Sequence, residues 1–211
     1  MKKLSLFLLL VLAGFCWGCK KDSEAEPSVP IKQHDIAVES IIGTTTGGIT
    51  PSRKGFINLA DGVAYSQPEA IANSDKVDFA YNYRGGGCST CRFFENVKSM
   101  STRTGYVSQF STLTDSRLSN VEQQKKFTVA AFDSIATVAD FDQFVQRYAL
   151  KTDQYYTTAD VTNRVSDLAV GRVFGFVDKN GKHGLFKIGN YTASVPTGDR
   201  AALTITVKIK P

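Results

Sequence analysis

Along the last stretch of the chain, apolar and polar residues alternate without a break. Leu203, Ile205, Val207 and Ile209 point one way, and Thr204, Thr206, Lys208 and Lys210 the other. A period of two sustained over eight residues predicts a strand with one buried face. Upstream, Arg172 to Val177 and Lys182 to Ile188 are extended patterns joined by Asp178, Lys179, Asn180 and Gly181, a hairpin turn sequence. Val77, Phe79, Tyr81 and Tyr83 alternate with Asp78, Ala80, Asn82 and Arg84, which predicts another half-buried strand. Gly55 to Leu59 predicts the first strand, with Asp61 and Gly62 as a turn and Val63 to Tyr65 returning.

Helical spacing appears between these segments. Ser66 with Glu69 three residues on is a capping box, and Pro68 suits a first helical turn, so a short helix to about Asn73 is expected. Phe93, Phe94, Val97 and Met100 recur at helical spacing among Arg92, Glu95, Asn96 and Lys98. Thr128 heads a short helix carrying Val129, Phe132 and Ile135. Thr137 with Asp140 caps a longer one, in which Val138, Phe141, Val145 and Tyr148 share a face. Ser101 to Lys126 is polar and carries no clear period. Strands early, helices in the middle and strands at the end predict an α+β fold, a mostly antiparallel sheet with helices packed on one face.

The first residues obey a different logic. Lys2 and Lys3 precede an apolar run, Leu4 to Phe15, broken only by Ser5 and Gly14, and polar residues come after Cys19. This is the layout of a secretory signal, and the run is shorter than the roughly 20 residues of a membrane span. With a cysteine at the cleavage position it resembles a bacterial lipoprotein signal. That resemblance implies that residues 1–18 are removed and that the Cys19 thiol carries a diacylglycerol. Cys16 competes for the role, but bulky Phe15 precedes it, whereas Gly18 precedes Cys19. Lys20 to Glu26 also looks like the export signal of surface lipoproteins in the Bacteroidetes.

Residues 19–52 are expected to form a flexible tether. Pro27, Pro30 and the run Gly43 to Gly48 supply too little apolar surface to offset ordering entropy, although Ile36 to Ile42 has the pattern of a short strand. A single globular domain, 53–211, would then begin near Arg53. The formal charge of +5 falls to about +3 without the two signal lysines and forms no basic block, which argues against nucleic acid. The one tryptophan, Trp17, lies in the segment to be removed, whereas Phe and Tyr number 14 and 8.

Cys88-x-x-Cys91 is the sharpest chemical candidate. A strand, three glycines and a cysteine at a helix start would lower a thiol pKa, because unpaired amides of a first turn favour thiolate. This looks thioredoxin-like, yet no proline occurs between Pro68 and Pro196 to face the pair. The plainer reading is a local thiol pair or disulfide holding the glycine segment. Zinc lacks ligands, since only His34 and His183 accompany the pair. Arg92 after Cys91 excludes the usual haem attachment, and no G-x-S-x-G occurs to give His183 a nucleophile. No cofactor or metal is expected. Tyr81, Tyr83, Tyr155 and Tyr156, with Tyr191, are candidates to line a sugar or peptide groove, against a plainer reading as core.

Several stretches together resemble a group of Bacteroidetes surface lipoproteins of unknown function. They are Lys54 to Leu59, Asp61 to Tyr65, Lys76 to Tyr81, Val129 to Ile135, Gly171 to Ile188 and Leu203 to Lys210. The resemblance implies an exported, lipid-anchored α+β domain and supplies no catalytic residues; Cys88 and Cys91 stand outside its pattern. The functional expectation is a non-catalytic binding or scaffolding module at the outer membrane, with a glycan or a protein as ligand. The alternative is an envelope thiol-disulfide protein using Cys88 and Cys91.

Overall fold

The computed structural model describes residues 28–42, 49–83, 92–101, 106–120, 129–147, 164–166, 168–192 and 202–211. Its strands are β1 (Lys32–Glu39), β2 (Phe56–Asn58), β3 (Val63–Tyr65), β4 (Phe79–Tyr83), β5 (Arg92–Asn96), β6 (Arg117–Asn120), β7 (Arg164–Ser166), β8 (Val173–Val177), β9 (His183–Thr192) and β10 (Ala202–Ile209). They make two five-stranded sheets, ordered β1-β10-β9-β8-β6 and β3-β2-β4-β5-β7, with every adjacent pair antiparallel. Instead of the single sheet expected, two sheets face each other and share one core. Each inner face alone would leave its apolar side wet, and stacking them removes both from water.

The shared core takes the predicted faces. Leu203, Ile205, Val207 and Ile209 of β10 are buried, with Phe174, Phe176 and Phe186 beside them. Phe186 meets Phe94 of the opposite sheet edge-on at 5.3 Å, and Tyr81 lies 5.3 Å from Phe94. Aromatic contacts therefore bridge the layers at the middle of the sandwich. Gly184 stands opposite Phe176 in the β8–β9 register. A side chain at Gly184 would fall 2.1 Å from the Phe176 ring, so the missing Cβ lets that ring lie across the strand.

The helices divide between the two outer faces, which corrects the expectation of one helical face. Helices α1 (Gln67–Ala72) and α2 (Val97–Ser101) cover the second sheet through Ala70, Val97 and Met100, packed with Phe56, Val77 and Ala80. Helices α3 (Val129–Asp133) and α4 (Val138–Arg147) cover the first through Phe132, Phe141 and Phe144, packed with Val173 and Leu185. The caps predicted at Ser66 and Thr137 form, while Thr128 lies outside the described residues. The Glu69 carboxylate accepts from the Ser66 amide and hydroxyl, both at 2.8 Å. Asp140 accepts from the Thr137 amide at 2.9 Å while its own amide donates to Thr137 Oγ1 at 3.1 Å.

Three local expectations change. Residues 32–42 are not tether: β1 pairs along its length with β10, and Ile36, Val38 and Ile41 are buried. Chain order extends further still, because Val138 donates to the Val29 carbonyl and Ile31 to that of Ala136. The folded part thus begins well before Arg53; alternating Ile36 and Val38 outweigh the polar composition around them. β4 is buried on both faces, not one, because α2 and its neighbours cover the side on which Ala80 lies. The helix expected over Phe93 to Met100 is a strand and then a short helix. Adjacent Phe93 and Phe94 are both buried, because successive strand residues point to opposite faces and this strand is covered on both.

Candidate functional site

At one end of the sandwich, three segments enclose a cleft of about 310 Å³. They are the β8–β9 turn at 178–182, the turn after β2 at 58–62, and residues 75–78 leading into β4. Each is built by its own short-range bonding. Asp178 Oδ1 accepts from the amides of Asn180 and Lys182, both at 2.8 Å, and Gly181 takes φ +79°, a left-handed position that glycine occupies freely. Asn58 and Asp61 close the β2–β3 turn on each other at 2.8 and 3.0 Å. Lys32 Nζ and His34 Nε2 lie 2.9 and 3.2 Å from the Ala60 carbonyl. His34 therefore belongs to β1, not to a tether.

Asp78 forms the floor where the sheets meet. Its Oδ2 accepts from the Leu59 amide at 2.9 Å, beside β2, and its Oδ1 from Ser116 Oγ at 2.6 Å, beside β6 of the other sheet. One carboxyl thus clasps both layers. It is 2% exposed, and burial pushes its pKa up to about 6; the like charge of Asp178 adds to this, while Ser116, Leu59 and Lys179 oppose it. Asp178 is 3% exposed, and its Oδ2 accepts no hydrogen bond among the described residues. Around these carboxyls lie Lys179, Lys182 and other lysines, and among the described residues only Ala60 and Ile209 contribute apolar lining. Such a surface offers acceptors and donors at close quarters and has nothing flat or greasy to hold an apolar ligand.

The residues singled out from the sequence are placed elsewhere. Tyr81 and Tyr83 are buried within the shared core, which favours the plainer reading of both as packing residues. Tyr191 donates to the Leu168 carbonyl, and its ring lies 4.4 Å from the Arg92 guanidinium, which also approaches the Tyr83 ring. Tyr155, Tyr156, Cys88, Cys91 and Cys19 lie outside the described residues. Arg92, next in the chain after Cys91, opens β5 and pairs with Tyr83 of β4, so residues 84–91 join two hydrogen-bonded strands. His183 opens β9, where burial and the nearby Lys210 lower its pKa.

The cleft residues were poorly visible in sequence. Asp178 was legible only as a turn former, and Asp78 only as the outward member of an alternating strand. The one available signal was a charged residue set directly between Val77 and Phe79 in an otherwise apolar and aromatic run. The chain matches no protein-family model, no curated protein and no solved structure.

Proposed function

We propose that this chain is a lipid-anchored protein of the outer membrane, facing outward, whose sandwich domain acts as a non-catalytic binding or scaffolding module for a glycan or a protein. The anchor rests on the order of Lys2 and Lys3, the Leu4 to Phe15 run, Gly18 and Cys19. Two or three acyl chains would make attachment stable, where a single chain binds marginally. The binding half rests on one observation: a polar cleft at an end of the sandwich contains a buried carboxylate oxygen, Asp178 Oδ2, without a donor among the described residues.

Bonding at Val29 and Ile31 limits how far the domain stands from its anchor. About ten residues separate Cys19 from Val29, a reach of at most about 35 Å even at full extension. β1 then begins at Lys32, whose side chain lines the cleft. The cleft end of the sandwich is thereby the end nearest the anchor.

Mass spectrometry of the protein purified from its own membrane tests the anchor. A mature N-terminal peptide beginning at Cys19 and carrying fatty acid is expected, and Cys19→Ser is expected to leave the membrane fraction. An unacylated N-terminus would overturn the reading.

A further inference from the structure

We propose that the cleft between the β8–β9 turn and the β2–β3 turn is a subsite for a neutral sugar residue, held through its hydroxyl groups. This rests on the binding-module reading and gives its ligand a chemical class. Three observations carry it. The first is the unfilled acceptor. Asp178 is fixed by two amides on Oδ1, at 2.8 Å each, so its side chain cannot turn away to find another donor. Asp178 lines the cleft, and its Oδ2 is buried without a hydrogen bond among the described residues. A buried acceptor left in that state is costly, and a ligand O–H or N–H that reaches it recovers the cost.

The second observation is the company that acceptor keeps. Lys179 and Lys182 extend from the same turn, and ammonium groups only donate. A group that donates to a carboxylate and accepts from an ammonium at the same time is a hydroxyl. Neighbouring hydroxyls on one ring repeat that pattern. The third observation is charge balance. Four aspartates and five lysines line the cleft, so an isolated cation meets the lysines and an isolated anion meets the carboxyls. No three His, Cys, Asp or Glu side chains among the described residues converge to hold a metal ion.

Size and lining agree. The volume of about 310 Å³ lies at the lower end of the range for small-molecule sites, about 300–1,000 Å³. With no aromatic face in the wall among the described residues, orientation comes from hydrogen bonds. Affinity for one sugar unit is then low, about millimolar, and a longer glycan must add contacts beyond the cleft.

Saturation-transfer NMR on the full chain in detergent micelles tests this, with D-glucose, D-galactose, D-mannose, D-glucosamine and inorganic phosphate as separate probes. Transfer to the ring protons of at least one neutral hexose is expected, with D-glucosamine weaker than D-glucose. Asp178→Asn is expected to weaken binding about tenfold, since Asn keeps the turn bonds through its own Oδ1. Lys182→Gln, on an exposed side chain, is expected to cause a smaller loss with an unchanged melting temperature, and it carries the test if Asp178→Asn fails to fold. The proposal is overturned by no transfer from any neutral hexose, or by binding of phosphate or D-glucosamine alone. Transfer that neither substitution weakens also overturns it, because the sugar then sits elsewhere while the module reading stands. Loss of acylation at Cys19 would remove the anchor and leave these signals unchanged, so the two readings fail separately.

Discussion

Lys208 Nζ lies 2.6 Å from the carbonyl oxygen of Ile135, and 3.0 and 3.1 Å from those of Phe132 and Asp133. A lysine on the outward face of β10 therefore caps the end of α3, whose last carbonyls have no partner within the helix. The residue is 3% exposed. Burial lowers its pKa, and the Asp133 carboxylate works against that shift. Lys208→Met would keep the packing against Phe132 and strip three carbonyls of their donor. A loss of about 2–3 kcal/mol in urea unfolding is expected. A change below about 0.5 kcal/mol would show that water replaces the ammonium.

Asp78 should make stability fall as pH rises through the weakly acidic range. Its folded pKa of about 6 stands above the ordinary 3.8. The folded state therefore holds the proton more tightly, and that advantage, complete below the unfolded value, is lost as pH climbs through 6. Between about pH 4.5 and 7.5 the group should cost the wild type about 2 kcal/mol. Asp78→Asn can accept from the Leu59 amide through Oδ1 and donate to Ser116 Oγ through Nδ2, so it should lack this slope. Denaturant unfolding of both proteins at the two pH values decides the matter; equal slopes would mean that Asp78 is not the titrating group.

The Phe176 ring occupies the space that a Cβ at Gly184 would need. Gly184→Ala should cost about 1–3 kcal/mol through displacement of that ring from the core. Adding Phe176→Leu should restore part of the loss, because the smaller side chain vacates the contact. Thermal unfolding of the single and double variants tests the coupling, and simple additivity would refute it.

The boundary of the folded unit can be tested by truncation. A chain beginning at Arg53 lacks β1, so the β10 edge is unpaired and Ile36 and Val38 are missing from the core. It is expected to be insoluble or to lack a cooperative thermal transition, whereas a chain beginning at Ser28 should fold. A cooperative Arg53 form would make β1 dispensable.

Where the code is local, the chain could be read directly. The alternation at Leu203 to Ile209, the Asp178 to Gly181 turn and the Ser66–Glu69 and Thr137–Asp140 caps all depend on residues within a few positions of one another, and each forms. What failed was non-local. Ile36 and Val38 looked like part of a tether because their partners, Ile205 and Leu203, come from the far end of the chain. Phe93 and Phe94 fitted a helical spacing, and only apolar layers on both sides of the strand explain why a strand buries them better. The cleft was hidden for the same reason. Asp78, Ser116 and Asp178 are far apart in sequence and meet only where the two sheets end.

The bond between Thr206 and Asp35 joins residues 171 positions apart, and every pair of the β1–β10 ladder is similarly distant in sequence. A nascent polypeptide leaves the ribosome with β1 well ahead of β10. Until the closing residues emerge, the opening strand has no mate and the first sheet cannot assemble. Such late closure slows folding.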